Sequence, residues 1–386
     1  MPPPAPGFPT TEYAARVQRA QVRMAANGLD ALLLTTESDL RYFSGYLTRF
    51  WESPTRPWFL IVPLSGKPVA VIPSIGRALM ATTWIDDIRC WQAPDLHDDG
   101  VGLLGDTLRE LAGEGAQVGL PMGLESHLRM PLADWARLQQ ASPGLDFTHD
   151  YEITRTLRMV KSTGEINKIR AAAQVANRAF ARVPEIASAG VPLDQVFRRF
   201  QMLCLEEGAD FVPYLAGGAG QGGYMDVISP ATPARLQRGD VLMLDTGLLR
   251  DGYFCDFDRN FSLGPPSDAV QSAHSRLIEA THRAADIARP GTTAAELYHV
   301  MAATLNSSDS SAGRLGHGLG MQLTEGLSLI PDDHTELQAG MVITLEPGIA
   351  LDGGRIMVHE EDIVIGARAP EFLSHPAPTT IATLDV

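Results

Sequence analysis

The chain has 386 residues, 31 Lys and Arg against 46 Asp and Glu, and a formal charge of −15. That balance argues against nucleic acid or an anionic membrane as a partner, since both call for a basic face. With 45 % apolar and 20 % charged residues it has the composition of a soluble globular protein, and its length suggests two domains of about 150 residues each.

In chain order, the first nine residues are proline-rich, and 11–27 predicts an amphipathic helix with a Thr cap that Asn27-Gly28 ends. Residues 29–36 form a short apolar strand run. The greasy stretch 57–73 is broken by Ser65, Gly66 and Lys67, so it predicts two buried strands, 58–62 and 69–72, around a turn. Nothing approaches the roughly 18 apolar residues of a membrane span, and no basic stretch precedes an apolar run at the start. Mixed helix and strand patterns continue to about Asp150, which makes an α/β unit. A new helix is then announced by Ser162 and Glu165, spaced as a capping box. The expected division is 1–155 and 156–386. Beyond it, helices are predicted at 193–208, 267–288 and 293–306, and strands at 241–249, 253–263, 341–347 and 356–365. That order suggests an α+β domain built on an antiparallel sheet. Cys90, Cys204 and Cys255 are far apart without a CxxC, which fits a reducing cytoplasm and no thiolate metal site.

The turn at Asp251-Gly252 carries chemistry. If it is a two-residue turn, Arg250 pairs with Tyr253, Gly247 with Asp256 and Asp245 with Asp258. Alternation then gathers Asp245, Asp256 and Asp258 on one face of a hairpin whose flanking run is apolar. Buried carboxylates repel unless a cation joins them. No Lys lies in either strand, and Arg259 points to the other face. Further on stand His317 in a glycine-rich loop, Glu346 beside Thr344 on one strand face, and Glu361, which shares a face with His359 and Ile363. Two Asp, one His and two Glu make a hard, oxygen-rich set that suits Mn²⁺, Fe²⁺, Co²⁺ or Zn²⁺, with carboxylates enough to bridge two ions.

In this order the residues resemble the pita-bread metallopeptidase superfamily of aminopeptidase P, prolidase, methionine aminopeptidase and creatinase. The matching positions are Asp245, Asp256 eleven residues later, His317 in HGLG, Glu346 in EPG and Glu361 before Asp362. LDALLLTTESDLRYFSGY is similar to a creatinase-type N-terminal domain, and MVKSTGEINKIRAA to the start of the catalytic domain. The resemblance implies a creatinase-type α/β domain followed by a pita-bread catalytic domain, and a dinuclear hydrolase that uses a metal-bridging hydroxide on an amide carbonyl. It makes Asp256 and Glu361 bridging ligands, puts Asp245 on one ion and His317 and Glu346 on the other, and lets Glu346 carry a proton to the leaving nitrogen. It also implies a homodimer and a dipeptide or other small-molecule substrate.

Three positions depart from the proline-specific pattern. Ile228 stands where a His precedes the first Asp, Thr324 replaces a second His after the metal His although Glu325 is kept, and His359 stands where an Arg precedes the last Glu. A fourth is Asp258, where the family has Thr; it is expected to act as a replacement base or to orient its neighbours. His359 could compensate for a missing histidine. Thr324, Glu325 and Tyr224 are the substrate-contact candidates, Tyr224 because 218–223 is expected to be a substrate-side loop. That stretch contains GxGxxG, but the prolines after it rule against a dinucleotide site. The leading expectation is an Xaa-Pro dipeptidase or aminopeptidase. The alternatives are a non-peptide enzyme of creatinase, ectoine hydrolase or sulfonium lyase type, and a non-catalytic binding module.

Overall fold

The computed structural model describes residues 4–53, 57–306 and 313–386, so the first three residues of the proline-rich start lie outside the described residues. Contacts divide the chain into two compact units, Ala5–Arg158 and Met159–Val386. In the first, helix α1 (Thr10–Asn27) begins after Pro9 with no side-chain cap, against the expected Thr cap. Proline fixes its own φ near the value needed there, so the helix starts one residue early and takes both threonines inside. Gly28 ends it in the left-handed conformation, as read from the sequence.

The unit continues with β1 (Ala31–Leu34), α2 (Glu37–Ser44), β2 (Phe59–Pro63), β3 (Val69–Pro73), α3 (Arg77–Met80), β4 (Asp87–Trp91), α4 (Val101–Ala112), β5 (Ala116–Leu120), α5 (Leu132–Ala141), β6 (Leu145–His149) and α6 (Ile153–Met159). The strands form one mixed sheet in the order β4-β3-β2-β1-β5-β6. Strands β1, β2 and β3 are buried along their whole length, which explains why they read as unbroken apolar runs rather than as alternation. Leu33, Phe59, Ile61 and Val71 pack with Leu104 and Leu108 of α4, each fully buried aliphatic side chain being worth about 1.5–3 kcal/mol.

The second unit opens with α7 (Thr163–Ala181). Ser162 accepts from Glu165 N and the Glu165 side chain returns to Ser162 N, which is the capping box that the spacing predicts. After α8 (Leu193–Glu206) come β7 (Phe211–Gln221), β8 (Asp240–Arg250), β9 (Tyr253–Phe254), β10 (Phe257–Leu263), α9 (Asp268–Ile287), α10 (Ala294–Thr304), β11 (Val342–Leu345), β12 (Gly348–Leu351), β13 (Arg355–Val358), β14 (Glu361–Val364), β15 (Glu371–Phe372) and β16 (Ala382–Leu384). The main sheet runs β16-β10-β8-β7, antiparallel except for the parallel β10–β16 pair, with β9 hairpinned onto β8. A smaller antiparallel sheet orders β11-β14-β15.

Strand β7 corrects one expectation: 218–221 is not a loop but strand, paired with 240–243 of β8. Its glycines hid the period-two signal that side chains supply. Two predicted strands are each broken in the middle. The run 253–263 is interrupted at Cys255-Asp256, and 356–365 at His359-Glu360. Both breaks fall on acidic residues of the site described next. Cys255 is fully buried, as its alternation away from the carboxylates implied. Val241 and Met243 of β8 lie in one apolar core with Leu277, Leu297, Ile343 and Ile363. By alternation the next residue on that face is Asp245, where apolar floor gives way to acid.

Candidate metal centre

The hairpin register is the one counted from the sequence. Arg250 pairs with Tyr253, Thr246 with Phe257 and Asp245 with Asp258. Pairing lapses at Asp256, whose backbone N–H instead donates to Asp362 Oδ2 at 3.1 Å. Asp245, Asp256 and Asp258 are all buried. Gly247 lies beside them with the end of the Leu323 side chain packed where a Cβ would be.

His317 reaches the same place from its loop. Gly316 before it has φ +138°, and a Cβ there would collide with Thr344 O, so only glycine brings the loop this close to β11. His317 N donates to Thr344 Oγ1 at 3.2 Å and its carbonyl accepts from Thr344 N at 2.7 Å. Burial, with the Arg314 charge, pulls the imidazole down to about 4, so the ring is neutral. Its Nδ1 faces Gly318 O at 3.1 Å, and a carbonyl can only accept; the proton is therefore on Nδ1 and the lone pair on Nε2. That Nε2 looks at Asp256 Oδ2, 3.4 Å away, and at Glu360 Oε1, 3.9 Å away.

Glu360, not Glu361, thus completes the cluster, and strand register gives the reason. Leu345 pairs with Glu361 and Gly348 with Val358, so Glu346 lies opposite Glu360 and the two share a face. Glu361 shares its face with Leu345 and points away. There its carboxylate accepts from Arg259 Nη2 at 3.0 Å, from Ala377 N at 2.8 Å and from the Ser374 hydroxyl. Burial would push Glu361 up, but Arg259 and His359 together hold it down to about 2. His359 belongs to that side as well, its Nε2 3.2 Å from Glu361 Oε1 and its Nδ1 3.3 Å from Asp258 Oδ1. It is a buried strut between two acids and not a group on the Glu360 face. Asp258 links the two sides, since its Oδ1 also accepts from Glu360 N at 3.0 Å.

The remaining candidates sort by burial. Tyr224 is only 1 % exposed, and its hydroxyl is engaged within the chain, accepting from Val358 N at 2.6 Å and donating to Asn260 Oδ1. Glu325 is buried in an ion pair with Lys161 Nζ at 2.9 Å. Thr324 stays at the rim, its hydroxyl accepting from Arg314 Nη2 at 3.0 Å. Ile228 is 80 % exposed. Two neighbours were not singled out from the sequence: Tyr214, which hydrogen-bonds to Asp245, and Arg314.

The donor set fits divalent cations. Asp256, His317 and Glu360 present ligand atoms all within 4.8 Å of one another. Asp245 Oδ1, Asp256 Oδ1, Asp258 Oδ2 and Glu360 Oε1 are buried with no hydrogen-bond partner among the described residues. Burial first, and then mutual repulsion, pushes Asp245, Asp256 and Glu360 well above the usual carboxylate range, and burial drives Glu346 up to about 7. So many buried, partnerless acid oxygens are a cost that positive ions would remove.

Known proteins point the same way. Residues 16–160 match the Creatinase/Prolidase N-terminal domain, and residues 167–367 match metallopeptidase family M24. The probable dipeptidase PepE of Mycobacterium tuberculosis is 28 % identical over 373 residues, covering 93 % of each chain. Dipeptidase PepE from Mycobacterium ulcerans has a similar structure, with a TM-score of 0.84 and 28 % identity over 98 % of this chain and 100 % of that one. X-Pro aminopeptidase from Thermotoga maritima gives 0.80 and 25 % over 95 % and 99 %. The M24 match runs from within α7 to beyond β14 and so takes in every acid of the cluster together with His317; the chain belongs to metallopeptidase family M24, a metal-dependent hydrolase of pita-bread fold behind a creatinase-type domain.

Proposed function

We propose that the chain is a dinuclear metallodipeptidase, with Xaa-Pro dipeptides as the first substrates to test. The observation that carries this is the buried grouping of Asp256, His317 and Glu360, with Asp245 and Glu346 adding their charge to it. In this reading Asp256 and Glu360, together with Asp245, His317 and Glu346, would hold the two ions. Mn, Co, Zn and Fe all accept such ligands, and a pair of these ions would lower the pKa of water and polarise the scissile carbonyl.

The chain's own groups do the rest. Glu346, which shares the Glu360 face, would take a proton from the attacking water on its carboxylate and pass it to the leaving nitrogen. Asp258 fixes Glu360 through the Glu360 N–H, and His359 braces Asp258 in turn. The reading also takes a homodimer working in the cytoplasm, where Cys90, Cys204 and Cys255 stay free thiols.

The test is direct. Full-length protein reconstituted with Mn²⁺ is expected to bind about two ions per chain and to hydrolyse Xaa-Pro dipeptides. Glu360→Gln should lower metal affinity by more than the roughly 10–100-fold typical of an outer partner. Equal turnover after exhaustive chelation would sink the proposal. A second reading, a non-peptide amide or C–N substrate, is favoured by one observation: Ile228 lies in solvent and Thr324 is engaged by Arg314, so neither supplies what a histidine would. Turnover of small non-peptide amides with no cleavage of dipeptides would select it.

A further inference from the structure

A cavity of about 410 Å³ lies between the C-terminal half of α7, β10, the first half of α9 and the segment 375–382. It is separate from the metal centre, since no member of the acid cluster lines it. Phe180, Phe261, Pro376 and Pro378 give it apolar walls. Small ligands occupy pockets of this size, where mostly apolar walls surround a few fixed polar groups.

The polar groups in the wall decide which ligand fits. Arg259 pairs with Glu361, and Arg178 with Glu207 Oε2 at 2.9 Å, so neither guanidinium calls for an anion. Asn260 is engaged between the Tyr224 hydroxyl and Val358 O, and Asn177 accepts from His375 N. His274 is the exception. It is 2 % exposed, and its Nε2 lies 3.0 Å from Pro378 O. A carbonyl can only accept, so the proton is on Nε2 and Nδ1 carries a lone pair. Of the buried side-chain polar atoms that the lining residues contribute, Nδ1 alone has no hydrogen-bond partner among the described residues. A buried acceptor without a donor is destabilising, and a donor brought by a ligand would relieve it. The wall therefore suits a neutral, ring-sized molecule with apolar faces and one N–H or O–H.

The same wall supports the acid cluster. Arg259 donates to the carbonyls of Asp258 and His375 and, at 3.3 Å, to that of Glu360. Ala377 N donates to Glu361 Oε1 at 2.8 Å, so the segment that closes the cavity also clamps Glu361. A molecule wedged against Arg259 and this segment restricts both, and with them the strand break at His359-Glu360 from which Glu360 joins the cluster. A ligand site ordered in advance leaves less ordering to be done when a cation arrives, which makes the two binding events cooperative.

We propose that this cavity is an effector site for a neutral ring molecule bearing one N–H or O–H donor, which His274 Nδ1 accepts, and that its occupancy tightens metal binding through Arg259. The coupling rests on the metal-centre reading above, and the ligand site does not.

Indole and benzofuran have nearly the same shape, and only indole carries the N–H. Titration calorimetry on chelated full-length protein should show indole binding about 10-fold tighter than benzofuran, within the range set by one satisfied buried acceptor. His274→Phe should bring that ratio to near one. Ala181→Trp, which fills the cavity from the exposed last residue of α7, should abolish binding of both. The ratio is taken on one preparation, so a variant's loss of folded protein cancels from it. No binding of indole, equal affinities in the wild type, or an unchanged ratio in His274→Phe overturns the site. Saturating indole should also lower the Kd for Mn²⁺ several-fold in the wild type and leave it unchanged in Ala181→Trp, and Mn²⁺ should tighten indole by the same factor. An unchanged Kd in the wild type overturns the coupling. If Mn²⁺ does not bind with or without indole, the metal-centre reading itself falls and takes the coupling with it, while the indole and benzofuran comparison still decides the site.

Discussion

Glu360 and Glu361 are adjacent in the chain and lie in opposite environments. One joins a cluster of partnerless acid oxygens, and the other is saturated by Arg259, Ser374 and a backbone amide. Removing their charges should therefore separate metal binding from stability. Glu361→Gln should keep its metal content and lose about 3 kcal/mol of stability, because Arg259 is left without its buried counter-ion; denaturant unfolding together with metal analysis reads both. A drop in metal content that matched Glu360→Gln would reverse the assignment. The sequence held enough to choose between the two. The count that paired Asp245 with Asp258 from a two-residue turn pairs Glu346 with Glu360 from the turn at 352–354. The resemblance instead favoured the Glu that precedes an Asp, and each of these two acids is followed by another acid. His274 gives a second test at this scale. Burial pulls it down to about 4, and its Nε2 lies 3.0 Å from Pro378 O. Its folded pKa is below the unfolded value of about 6.5, so its contribution is full above that pH and is lost as pH falls towards 4. Between pH 7 and 4 the wild type should lose on the order of 2–3 kcal/mol through this group, and His274→Gln should flatten that part of the stability profile.

Among the elements, the loop that carries His317 depends on a buried ion pair. Lys161 Nζ meets Glu325 Oε1 at 2.9 Å, Glu325 N donates to Gly318 O at 2.8 Å, and Gln322 N donates to Glu325 Oε2. Lys161 N also donates to Gly340 O, just ahead of β11, so one residue ties the metal histidine's loop to the strand leading to Glu346. Lys161→Met should cost about 3–5 kcal/mol by leaving Glu325 buried and unpaired, and the added change Glu325→Gln should recover part of it. Equal unfolding midpoints for the single and double variants would refute the clamp. At this scale the sequence was uneven. Capped helices such as α7 were legible because Ser162 and Glu165 carry a local signal. Strand β7 was not, because Gly217, Gly218 and Gly220 leave its second half without a side-chain alternation. The role of Glu325 was hidden as well, since its partner lies far back in the chain and no local pattern joins them.

At the scale of the molecule, the surplus acid divides into a surface share and a small buried share that a cation would neutralise. Chelation should lower the melting temperature and Mn²⁺ should restore it, each site adding about 2.7 kcal/mol when free metal is a hundred times its Kd. The pH response should separate the two forms. In chelated protein the buried carboxyls have raised pKa values, Glu346 at about 7, so folding favours their protonated state. That contribution is full below the unfolded carboxyl pKa of about 4.3 and is lost as pH rises through 7. Chelated protein should therefore melt lower at pH 8 than at pH 5, and metal-loaded protein should not; parallel curves would contradict the assignment of a cation centre. No helix among the described residues is long and apolar enough to cross a membrane.

The sheet order also has a consequence for how the chain matures during synthesis. The acidic hairpin β8–β10 leaves the ribosome well before Glu346 and Glu360 exist, and the outer edge of β10 is covered only by residues 382–384. Until those residues are made, its aspartates lack the second pair of acids and cannot form the complete cluster. The acid cluster is thus a late product of the chain: its two halves, 245–258 and 346–360, are separated by two helices and meet only when β11 and β14 pair.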